Sequence, residues 1–155
     1  MSGALSWQAF AAATPKIAGE GNRLLYQFGD VGLAFIATTR KDGGPRLHPC
    51  CPMIADGHLY VFVTGGSPKR FDLQRDGRFA LHTFPPAEND DEFYCSGRVN
   101  RIDESRLRGV LAKQAKHDVR DDEVLFELLI DRALFTTWIN PRQPNTQPVH
   151  TKWHA

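Results

Sequence analysis

The sequence predicts a mainly β protein, an antiparallel barrel of six strands with flanking helices. Two observations carry that expectation. Short apolar runs recur between tight turns at Asp42-Gly43-Gly44, Ala55-Asp56-Gly57 and Asp76-Gly77, where Asp-Gly supplies the positive φ that hairpins need. Few helical stretches stand between those runs, which opposes a doubly wound parallel sheet, where a helix follows each strand. No internal repeat, GxGxxG or phosphate-loop pattern is present.

Residues 5–13 carry Leu5, Trp7 and Phe10 among alanines and read as a short helix. Thr14-Pro15 reads as the N-cap and first position of a second helix, with Ile17, Leu24, Leu25 and Phe28 on its apolar side and Gly29-Asp30 at its end. Residues 32–39 are apolar and branched, as a buried strand requires. Residues 45–54 form a second strand in which Pro49 and Pro52 cannot donate to a ladder. That suggests an edge, a bulge, or a backbone facing something other than a neighbouring strand. The third strand covers 58–64, the fourth 78–84 and the fifth 93–102, with Gly97 at a bulge position. Asp103 can cap a helix reaching about His117, whose Leu107, Val110 and Leu111 share a face. Residues 125–138 form the long last strand. The tail from Asn140 is rich in proline and polar residues yet ends in Lys152-Trp153, and such a tryptophan is expected to pack on a partner subunit or over a cofactor. The chain thus reads as a single domain over 1–155: helices within 5–28, a barrel over 31–139 and a tail over 140–155.

A chain of 155 residues suits one domain that buries roughly two-thirds of its unfolded surface. With 19 basic against 18 acidic residues there is no bulk charge for nucleic acid or an anionic membrane, so any anion site is local. No apolar run approaches the roughly 20 residues of a membrane helix. The start lacks a basic leader and Gln8 interrupts its apolar stretch, so it does not read as a secretory signal. The three cysteines include an adjacent pair, Cys50 and Cys51, and form no CxxC. They read as buried free thiols in a reducing cytoplasm. His150 and His154 lack the companions zinc requires, and no metal is expected.

One local feature stands out: Thr64-Gly65-Gly66-Ser67-Pro68-Lys69-Arg70, after the third strand. Ser67 suits an N-cap and Pro68 the first helical position. A helix start offers unpaired N–H groups to an anion. Lys69 and Arg70 add charge there, and the glycines let backbone approach closely. The corner reads as the seat of a cofactor phosphate, or as a capped surface helix with two solvated cations.

Ala37-Thr38-Thr39-Arg40-Lys41-Asp42-Gly43-Gly44-Pro45-Arg46-Leu47-His48-Pro49, then Ser67 to Leu73, then Phe93 to Val99, together resemble the pyridoxamine 5′-phosphate oxidase-like family over about residues 30–140. The resemblance implies an FMN-binding split barrel of six strands that forms a homodimer, with two FMN sites at the subunit interface. It implies that Arg46 and Lys69 hold the phosphate, with hydroxyls of Thr64 and Ser67 and the charge of Arg70 nearby. The backbone from Arg46 through Leu47, His48, Pro49 and Cys50 to Cys51 would run along the isoalloxazine ring, and Trp138 and Arg142 would reach toward the neighbouring site. The segment Gln147 to Trp153 lacks the arginines with which the vitamin oxidase itself holds its substrate. The function expected is therefore a general FMN-dependent oxidoreductase passing a hydride to a small substrate. The alternatives are a deazaflavin-coenzyme reductase and a flavin- or haem-binding module without turnover. No catalytic residue is assigned: His48 reads as a strand histidine able to bond a ring edge, and Cys50 as packing.

Overall fold

The computed structural model describes residues 3–155. Its elements in chain order are α1 (Trp7–Ala13), α2 (Pro15–Leu25), β1 (Ala34–Thr39), β2 (Pro45–Cys50), β3 (Met53–Ala55), β4 (His58–Val63), α3 (Pro68–Arg75), β5 (Arg78–Thr83), β6 (Glu92–Ile102), α4 (Ser105–Gln114), β7 (Val124–Ile139) and β8 (Gln147–His154). Every strand pairing is antiparallel, in the order β2-β1-β5-β6-β7-β4-β3 with β8 added against β7. The end strands of that path, β2 and β3, follow one another in sequence through Cys51-Pro52 but do not pair. The sheet therefore curls without closing and leaves a seam.

The six expected strands are present, with two differences. The second ends at Cys50 because Pro52 cannot continue a ladder, and its remainder turns back as β3 on β4. The tail supplies β8. β4 reaches only residues 124–127 of β7, and β8 takes the vacant side over residues 132–139. Trp153 lies opposite Ala133, and its ring meets Phe10 edge-on at 5.1 Å. That corrects the expectation of a tail packed on a partner or a cofactor: the indole joins its own core, because strand pairing turns it inward.

The core lies between the inner sheet face, with Ile36, Leu81, Phe93, Leu128 and Ile130, and Phe10, Ile17 and Leu24 of α1 and α2. Gly97 sits where the β6–β7 register slips. A Cβ there would lie 1.9 Å from the Leu129 carbonyl oxygen, so only glycine permits that approach. α2 stops at Leu25, short of Gly29, and α4 starts at Ser105 with Glu104, not Asp103, in the N-cap position. Among the described residues, no helix is long and apolar enough to cross a membrane.

Candidate functional site

β2 is an edge strand whose side chains alternate. Arg46, His48 and Cys50 lie opposite the buried Thr38, Ile36 and Ala34 of β1 and share their inner face, while Pro45, Leu47 and Pro49 are exposed. In an antiparallel ladder a residue turns both N–H and C=O toward its partner strand, or neither. Pro49 has no N–H to exchange, and its carbonyl oxygen accepts a hydrogen bond from Lys69 Nζ at 3.2 Å. Pro45, Leu47 and Pro49 therefore turn their backbone to the open edge. There Leu47 carries the sole N–H of the three, as the prolines have none.

α3 closes this end of the barrel. Its Leu73 enters the core, and the neighbouring Asp72 is 3% exposed. Asp72 Oδ2 accepts from Thr38 Oγ1 at 2.8 Å and from Arg46 Nε at 2.7 Å, and Oδ1 accepts from Arg75 at 3.3 Å. The cross-strand pair Thr38 and Arg46 thus converges on one carboxylate oxygen. Burial alone raises a carboxyl pKa, but these donors outweigh it and hold Asp72 below the usual range. The paired Nε leaves the terminal nitrogens of the half-buried Arg46 with donors to spare.

The loop before α3 is braced from several sides. Arg70 donates from Nε to the Gly65 carbonyl at 2.7 Å and lies 3.7 Å above the Phe71 ring. Thr64 Oγ1 accepts from Arg120 at 3.3 Å. Ser67 occupies the N-cap position, but its hydroxyl makes no capping bond. A Cβ on Gly65 would lie 2.4 Å from the Asp122 carbonyl oxygen, so this glycine serves a contact within the chain; Gly66 has open space around it.

Burial, and then the charges of Lys69 and Arg46, push the His48 pKa below its ordinary value of 6.5. The ring is therefore neutral at physiological pH, able to donate or accept a hydrogen bond. Burial pushes the Cys50 thiol up to about 12 and also raises Cys51. Neither is an activated nucleophile, and Cys50 packs in the core.

Arg46, His48 and Lys69 come together with the exposed backbone of Leu47 and Pro49, and Thr64, Ser67 and Arg70 belong to the adjoining loop. Trp138 is elsewhere. It sits on β7, four strands along the sheet from β2, donates from Nε1 to the Asp90 carbonyl at 2.6 Å, and lines a cavity of about 450 Å³ with Arg142 and Asp91. Arg142 bonds the Ala87 carbonyl at 3.0 Å. Within one chain, Trp138 and Arg142 anchor the acidic loop. Sequence reading passed over Asp72, whose only signal was a lone carboxylate among Lys69, Arg70 and Arg75.

No family model and no curated protein matches the sequence. Several solved structures do match in shape. A NimC/NimA family protein from Clostridium acetobutylicum aligns over 86% of this chain and 91% of its own, at 13% identity and a TM-score of 0.58. A heme binding protein from Mycobacterium smegmatis aligns over 82% of this chain at 15% identity and a TM-score of 0.57, this chain spanning 56% of its length. An F420 reductase aligns over 65% of this chain and 87% of its own, at 14% identity and a TM-score of 0.53. These neighbours share the split-barrel fold. The chain is a split barrel. Identities this low carry the fold alone; in this split barrel the seam lies between β2 and β3, beside the cationic corner.

Proposed function

We propose that this split barrel binds FMN, with the phosphate at the corner formed by Arg46, Lys69 and the start of α3 and the ring along the open edge of β2. The protein then acts as an oxidoreductase that passes a hydride between the ring and a small substrate. One observation carries the reading: Lys69 reaches the outward carbonyl of Pro49 while Asp72 fixes Arg46 on the inner face, so two cations flank a single edge strand. The donor set suits a phosphate ester, with two charged donors, the uncommitted Ser67 hydroxyl and the beginning of a helix.

When bound, the flavin supplies the hydride chemistry. The residues of the chain bind, orient and shield. Lys69 and Arg46 neutralise the phosphate, and Leu47 N–H offers the edge donor for a ring heteroatom. His48, kept neutral, gives a hydrogen bond without adding charge. Leu47 and Phe71 are 66% and 50% exposed beside the corner. A second copy laid over them to form a homodimer would bury that apolar surface and exclude water from the ring. The free cysteines accord with a reducing cytoplasm.

A deazaflavin coenzyme is the second reading, since its phosphate could use the same cations and an F420 reductase is among the structural neighbours. Absorbance of the purified protein separates the cases. A flavin band bleached by a nicotinamide donor supports the oxidoreductase. A band indifferent to every donor and acceptor, or a haem Soret band, makes the protein a binding module. A monomer by light scattering at micromolar concentration removes the dimer.

A further inference from the structure

The outward face of β6, β7 and β8 begins three strands along the sheet from β2 and plays no part in the reading above. Register places Tyr94, Leu134 and Lys152 in one row across these strands, and Ser96, Arg132 and His154 in the next. The opposite parity, with Cys95, Ala133 and Phe135, is buried, so both rows face outward. Tyr94, Arg132, Leu134, Lys152 and His154 of these rows line a groove of about 590 Å³, within the roughly 300–1,000 Å³ typical of small-ligand sites.

The chemistry of the groove is uneven. Tyr94 and Leu134 form an apolar floor, half-buried without a ligand. Arg132 and Lys152 are diagonal neighbours across β7 and β8, within reach of one another. Among the described residues neither makes a salt bridge to a carboxylate, which is also true of Arg70, Arg98, Arg106 and Arg108. Asp131, which also lines the groove, accepts from Ser96 Oγ at 3.3 Å. Arg132 and Lys152 thus stand beside an apolar floor, with Asp131, His154 and Ala155 on the same lining.

We propose that this groove binds a small flat anion, a ring bearing a carboxylate or phosphate. The ring lies over Tyr94 and Leu134, and its charge meets Arg132 and Lys152. Both halves are needed: the floor alone would accept any apolar ring, and the cations alone any salt ion.

Phenyl phosphate is the probe, titrated into the full chain and followed by amide chemical shifts, with phenol and inorganic phosphate as the two half-ligands. Phenyl phosphate is expected to saturate with shifts centred on Tyr94, Arg132, Leu134 and Lys152, each half-ligand binding at least about tenfold more weakly. Arg132→Ser with Lys152→Ser is expected to weaken it by a similar factor while Tm is unchanged, both residues being exposed. Lys69→Ala is expected to leave the shifts of these four groove residues unchanged, whatever the probe does at the corner. If inorganic phosphate binds as well as the probe, the groove is an adventitious ion site and the proposal fails. It fails too if the shifts follow Lys69, or if the face is covered by a second copy and no probe enters. Shifts that follow Lys69 would place the probe at the corner instead; flavin binding there is read from its own titration.

Discussion

Arg46 on β2 and Asp72 on α3 form an ion pair 2.7 Å long, in which the carboxylate is almost wholly buried and the guanidinium reaches the surface. The pair ties the helix that begins the cationic corner to the strand that borders it, so the position of one cation is set by a residue that itself meets no ligand.

Asp72→Asn leaves Arg46, Thr38 and Arg75 facing an amide that cannot accept from all three donors. A loss of about 3 kcal/mol is expected, as for removing one member of a buried pair. Arg46→Met with Asp72→Leu should regain most of that stability by apolar packing and still bind flavin weakly. Urea midpoints and flavin titrations of both variants separate the folding role from the binding role.

The same carboxylate sets an acid limb. Its folded pKa is depressed below the reference of 3.8, so its contribution is complete above that value and declines as pH falls through the lower folded value. As pH falls below about 4, stability of the wild type should drop more steeply than that of Asp72→Asn. Chemical denaturation across that range measures it, and parallel curves would refute the assignment.

Lys69→Ala removes a single hydrogen bond to a surface carbonyl. Tm should scarcely move, while flavin affinity falls by about 1.5–3 kcal/mol, the range for a hydrogen bond to a charged group. Unchanged affinity would take Lys69 out of the site.

The thiols should be unreactive. Burial pushes Cys50 up to about 12 and Cys95 higher still, and Cys51 is raised as well. Iodoacetamide near neutral pH should label the half-exposed Cys51 slowly, and Cys50 and Cys95 only after denaturation, as read by peptide mass. Rapid labelling of native Cys50 would contradict its core position.

Trp153→Ala tests where the tail packs. The indole lies against Phe10 within the same chain, so the variant should lose about 2–3 kcal/mol, less than for a fully buried tryptophan. The loss should not depend on protein concentration. A loss that grows on dilution would place the indole at an interface.

Residue pattern alone determined six of the eight strand runs, the turns and the mainly β class, because alternation and Asp-Gly chemistry act over a few neighbouring residues, whereas β3 and β8 emerged only from pairing. It also determined that Lys69 and Arg70 stand at a helix start, since Ser67-Pro68 marks one wherever the helix goes. Only the tertiary structure decided what lies across from them. Asp72 meets Arg46 across 26 positions, Trp153 finds Phe10 by strand addition, and Gly65 is required by a carbonyl of a distant loop. Those contacts depend on which strand ends at an edge and where the seam falls, and both are settled when the whole sheet curls and buries its inner face.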